Sequence, residues 1–390
     1  MFVIENGVIC TGETVIQDGV VLIQDEVIQA VGPREQVQIP VDAPRLNAEG
    51  GYITPGFIDM HTNGALGYEL LNATSEDLEV VTKFLPKYGV TAFVPTIVSA
   101  AQPEIIQALD LARQVLLEPR LPGAEILGVH IEGPYINWEM RGAHRSDVIR
   151  EPAPGEYAAI LEYADIISWV TLAPELPGAI DLIRALKEKD IIVSAGHTLA
   201  IESDVEQAVA AGLSHVTHLF GNMGTLRREN LTRVAGMTEA ALLDDRLTVE
   251  VIGDGYHISP GLMKLAYKNK GPDRLAIITD ASPLAGLPPG PYTLWGVAVL
   301  VEDEIVYLAD RSAFAGTVTT MDRCLRTTVR LLDIPVPDVL RMMTTTPATI
   351  LGILDRKGIL APGWDADVVI LSPDLHVIHT ITAGRLAYSV

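Results

Sequence analysis

The chain has 390 residues, 48% of them apolar and 20% charged, with no low-complexity block, so it can bury a large core. Fifty acidic against 28 basic side chains give a formal net charge of -22. That field repels a phosphate backbone and excludes nucleic acid as an expected partner, but it leaves room for a small anion held by one or two local donors. Cys10 and Cys324 lie far apart and give no disulfide framework, "MFVIENGVIC" lacks the pattern of a secretion signal, and no apolar run reaches a membrane-spanning length. A cytoplasmic protein with no membrane contact is expected.

From Met1 to Ile53, alternating apolar runs such as "GVVLIQDEVIQAVG" are broken by Asn-Gly and Asp-Gly pairs, which predicts short strands and hairpins. Residues 359–390 read the same way, so residues 1–53 and 359–390 are expected to form one small β-module. Between them the period changes. "GFIDMHTNG", "GVTAFVPTIV", "EILGVHIEGP", "ISWVTLAPE", "DIIVSAGHT", "LSHVTHLFGN", "LTVEVIGDG" and "RLAIITDAS" are eight β-rich runs, each opening into a turn. Helical stretches such as "EDLEVVTKFLPKYG" and "GAIDLIRALKEKD" separate them, so residues 54–358 are predicted to close into a (β/α)8 barrel of TIM type.

Seven of the nine histidines lie between His61 and His257, and most follow a strand directly. The carboxyl ends of barrel strands form the active face, and five of these ends carry His61 with Asn63, Glu132, His197, His218 and Asp280. Taken singly, a histidine is more often a satisfied polar residue than a ligand, Glu132 could be a salt-bridge partner and Asp280 a helix cap. Together they match the imidazole and carboxylate layout of a catalytic divalent-metal site. His130, on the same strand face as Glu132 but deeper, is expected only to pack, and His376 and His379 to lie at the surface.

"PGFIDMHTNGALG", "HIEGPYIN" with "RGAH", "SAGHT", "VTHLFGNM", "GDGYHI", "ITDAS" and "FAGTVTTMD" resemble, in order and spacing, the N-acetylglucosamine-6-phosphate deacetylases of the amidohydrolase superfamily. The resemblance spans nearly the whole chain. It implies a barrel with a β-sandwich built from both termini, and hydrolysis of the N-acetyl group of an amino-sugar 6-phosphate. Carried over by position, Glu132, His197 and His218 would hold one divalent metal per chain, zinc first, with iron, cobalt and manganese suiting the same donors. Asp280 would act as base and then acid, and His144 would polarise the carbonyl. His257 would contact the sugar or its phosphate, and backbone around Gly221 and Asn222 would line the sugar pocket. The family also implies a homodimer in which an arginine reaches the partner's substrate phosphate, a role for Arg227 or Arg228.

Two places depart from the family pattern. Asn63 stands where many superfamily members have a second histidine, so His61 with Asn63 is expected to make at most a weak second metal site. Gly221 and Asn222 replace the usual Asn-Ala before Met223, which opens substrate identity to the galactosamine epimer or an unphosphorylated sugar. A different amidohydrolase, acting on a cyclic amide or an N-acyl amino acid, and a non-enzymatic scaffold are the remaining alternatives.

Overall fold

The computed structural model describes residues 1–390 and has two parts. The larger is a barrel of eight parallel strands: Phe57–Thr62, Val90–Ile97, Val129–Glu132, Ile167–Leu172, Ile192–Ala195, Leu213–Val216, Thr248–Ile252 and Leu275–Ile278. All eight are the predicted runs. The first two bury every residue, as parallel strands covered on both faces must.

The helices form for local reasons. Thr74 and Asp77 exchange side-chain and backbone hydrogen bonds to start Ser75–Phe84. Ala179, Leu182, Ile183 and Leu186 place one apolar stripe of Ala179–Lys187 on the barrel wall. Inside the barrel, Met60, Val94, Trp169, Ala276 and Ile278 pack together, and His130 stacks on Trp169 at 3.4 Å while bonding Thr96 and Thr171. His130 is therefore packed as expected.

The ring closes between its first and last strands at the active end. The Asp280 N–H donates to the His61 carbonyl at 3.0 Å, and the Asn63 N–H to the Ala281 carbonyl at 2.7 Å. Beneath them Asp59 accepts from the Thr279 hydroxyl at 2.5 Å, and burial raises its carboxyl to about 7.

The smaller part is one continuous sheet of strands from residues 2–55 and 368–389. Tyr52–Pro55 sits between Phe2–Cys10 and Val368–Leu371 and so joins the two chain ends. The sheet curls around Ile4, Ile9, Val21, Ile53, Val368 and Ile370. His376 is exposed, but His379 is half-buried within the sheet, because it pairs with Ile370 and Ser389 rather than lying free at the surface.

A charged cluster fastens this sheet to the lower end of the barrel. The buried Lys357 ammonium meets Glu125 and Asp365 at 2.9 Å each and also pairs with Asp367, while Arg356 forks onto Glu125. A cavity of about 310 Å³ opens beside the cluster, and it contains none of the predicted site residues.

Two elements have no counterpart in the predicted pattern. Gly290–Leu294, Val297–Glu302, Ile305–Leu308 and Phe314–Thr317 form a separate antiparallel sheet that leans over the barrel mouth. Arg227–Glu229 and Thr232–Val234 make a short hairpin.

Candidate active site

Three side chains converge at the barrel mouth. The Nε2 atoms of His197 and His218 lie 3.1 Å from Glu132 Oε1 and 3.0 Å from each other. Their backbones explain the convergence: His197, His218 and Asp280 all leave their strands with positive φ (47°, 28° and 46°), a sparsely populated conformation that turns the chain sharply at the strand end. Such geometry costs free energy, and the surrounding barrel must hold it in place.

The tautomers follow from the partners. His197 Nδ1 donates to the Met140 carbonyl at 2.7 Å, so its Nε2 lone pair faces Glu132 and His218. Burial pushes the His197 imidazolium down to about 4, which keeps that lone pair free. Burial opposes charge on His218 as well, but the hydrogen bond and charge of Glu132 raise it. Glu132, despite burial, is held well below the usual carboxylate range by His61 and by hydrogen bonds from His144 and His218. Two imidazole nitrogens and a carboxylate oxygen meeting at one buried point are a donor set that fits a divalent cation.

Asp280 and His144 flank that point. Asp280 Oδ1 accepts from the Asn63 amide at 2.9 Å and lies 3.4 Å from His61 Nε2, and burial raises its carboxyl above the ordinary range. The Ser99 N–H donates to His144 Nδ1 at 3.2 Å, so the neutral ring carries its proton on Nε2, which points towards Glu132 Oε2 at 3.6 Å.

These groups line a cavity of about 350 Å³, a volume suited to a small sugar. His257 lines it with Nδ1 tied to Asp254 at 2.7 Å, and Gly221 and Asn222 form part of its wall. The overhanging sheet supplies Trp295, Leu308 and Phe314.

Arg227 and Arg228 are not brought to this cavity. Arg227 pairs with Glu229 and the Leu199 carbonyl, whereas Arg228 is exposed on the hairpin with no ion-pair partner. Sequence reasoning also missed Ser99, Trp295, Phe314 and Glu250. A carboxylate inside the apolar run "LTVEVIGDG" was the available signal for Glu250.

The amidohydrolase family model matches residues 52–387. An N-acetylglucosamine-6-phosphate deacetylase of Bacillus subtilis is 34% identical over 99% of this chain and 96% of its own length. An N-acetylgalactosamine-6-phosphate deacetylase of Escherichia coli O157:H7 is 32% identical over 97% of each. Among solved structures, N-acetylglucosamine-6-phosphate deacetylase from Pasteurella multocida superposes with a TM-score of 0.92 at 30% identity, covering 99% of both chains. A variant of the Mycobacterium smegmatis enzyme in complex with N-acetyl-D-glucosamine-6-phosphate gives 0.91 at 30% identity, covering 100% of this chain and 99% of that one. Matched from the terminal sheet through the barrel, the chain belongs to the amidohydrolase family, in its N-acetylglucosamine-6-phosphate deacetylase branch.

Proposed function

We propose that the protein hydrolyses N-acetylglucosamine-6-phosphate to glucosamine-6-phosphate and acetate. The observation that carries this reading is the meeting of Glu132, His197 and His218 beside Asp280 and His144 in one cavity, within a chain whose full-length relatives bear that activity in their names.

One divalent ion on Glu132, His197 and His218, zinc first, would polarise the amide carbonyl and lower the pKa of water beside it. Asp280 takes a proton from the attacking water as the new C–O bond forms. Asn63 keeps one of the Asp280 oxygens oriented. The His144 Nε2–H donates to the carbonyl oxygen as charge builds there, with Ser99 holding the required tautomer. When the C–N bond breaks, the proton on Asp280 passes to the departing amine.

His257 and the wall at Gly221 and Asn222 meet the sugar. Arg228, exposed and unpaired, is the phosphate ligand that a second subunit offers, so a homodimer belongs to this reading. The cytoplasm is its compartment, a reading to which two unpaired buried cysteines are suited.

The testing experiment is acetate release from N-acetylglucosamine-6-phosphate, its galactosamine epimer and the unphosphorylated sugar, with bound metal counted per chain. Preference for the first substrate is expected. A preference for the epimer would keep the mechanism and move the substrate, an outcome that the Gly221–Asn222 wall and the Escherichia coli relative favour as second reading. No acetate from any of them would overturn the proposal.

A further inference from the structure

Glu175 has no place in the mechanism above. It lies just beyond the fourth barrel strand, Ile167–Leu172, whose end brings no side chain to the cavity. Although Glu175 is only half-buried, its carboxylate collects three hydrogen bonds. Oε1 accepts from the Leu199 N–H at 2.7 Å and from the Asn137 side-chain amide at 2.9 Å, while Oε2 accepts from the Thr198 hydroxyl at 2.5 Å. A group with acceptors alone suits a place where three donors meet.

Those donors come from two loops that both hold His197. Thr198 and Leu199 directly follow it, where its positive φ turns the chain away from the strand. Asn137 opens the short turn Trp138–Met140: its N–H donates to the His197 carbonyl at 2.9 Å, and its Oδ1 accepts the Glu139 N–H at 2.9 Å. Met140, at the end of that turn, supplies the carbonyl that takes the His197 Nδ1 proton. One carboxylate therefore ties the backbone after the histidine to the loop that orients its ring.

We propose that Glu175 is a positioning residue for His197: by joining Thr198 and Leu199 to Asn137 it holds the ring against the Met140 carbonyl, aims Nε2 at Glu132 and His218, and so sets the affinity of that point for a divalent cation. This rests on the reading of Glu132, His197 and His218 as the metal ligands, and on nothing about which sugar is bound.

The test is a titration of the full-length, Co2+-loaded protein with a chelator of known affinity, followed by visible absorption. Glu175→Ala should weaken Co2+ binding by about 10- to 100-fold, as loss of a group that orients a ligand does. Glu175→Gln keeps an acceptor for Leu199 and Asn137 and offers its amide to the Thr198 hydroxyl, so it should stay within about threefold of the wild type. Asn137→Asp keeps the acceptor for Glu139 but sets two carboxylates together, and should weaken Co2+ binding about as much as Glu175→Ala. Combining Glu175→Ala with Asn137→Asp should do no further harm, because both act through one link.

Unchanged Co2+ affinity in Glu175→Ala, or a Glu175→Gln as weak as Glu175→Ala, would overturn the proposal. If Glu175→Ala fails to fold, Asn137→Asp decides, and unchanged affinity there overturns it. None of these readouts uses turnover. A protein that behaves as expected yet releases no acetate would sink the deacetylase reading alone, whereas acetate release with unchanged Co2+ affinity in the variants would sink this one alone.

Discussion

The barrel mouth and the overhanging sheet of Gly290–Thr317 face each other across one cavity, but they are built differently. In the mouth, His61, Glu132, His197 and His218 are each less than 5% exposed, and each is held by at least one polar partner. Around the overhanging sheet, Leu284 joins Leu294, Val299, Val301 and Val306 in a small separate core, and Val297 and Phe314 stay about 40% exposed. The first region holds buried polar groups in place; the second presents a partly exposed apolar wall. The barrel therefore holds the buried polar cluster, while the overhang and the Gly221–Asn222 wall shape the rest of the cavity.

The largest test of this division is Asp280→Asn, expected to lower kcat by about a thousandfold while leaving bound metal per chain unchanged. Retained turnover would move the base elsewhere. His144→Asn should cost about a hundredfold in kcat with little change in KM, the signature of a donor used in the transition state. A pure KM effect would make His144 a sugar contact instead.

The opposite end of the barrel supplies a contrast in stability rather than rate. Burial alone would raise Glu125, but hydrogen bonds from Arg356 and the charge of Lys357 outweigh it and bring the carboxyl down from 4.5 to about 2. Because the folded value is the lower one, this stability is present above pH 4.5 and fades as pH falls towards about 2. It amounts to something on the order of 2 kcal/mol. Urea unfolding at pH 7 and pH 3 should show that loss in the wild type and a smaller one in Glu125→Gln; equal losses would remove Glu125 from the account.

The smallest effect belongs to the overhang. Trp295→Ala should raise KM about tenfold with kcat nearly unchanged. A fall in kcat matching that of His144→Asn would end the distinction between the two regions.

The barrel strands were legible in the sequence because each is an apolar run that ends in a turn, and turns at strand ends are where a parallel barrel keeps its polar groups. Glu132, His197, His218 and Asp280 were readable for that reason. Ser99 was not, since its role comes from a backbone N–H pointing at a histidine 45 residues away. Glu250 was hidden differently: its partner His61 lies 189 residues earlier and meets it only when the ring closes. The overhanging sheet alternates clearly in "GPYTLWGVAVLVEDEIVYL", but nothing local says that it leans over the barrel rather than joining the terminal sheet.

The terminal sheet also sets an order of events at the ribosome. Tyr52–Pro55 follows its partner Phe2–Cys10 closely along the chain, but its other edge waits for Val368–Leu371, which is made only after the barrel. At about 5–20 residues per second, that open edge persists for roughly 15–60 s. The barrel is translated during the same interval, so the newborn chain carries an unsatisfied strand edge that a chaperone or a neighbouring nascent copy could reach.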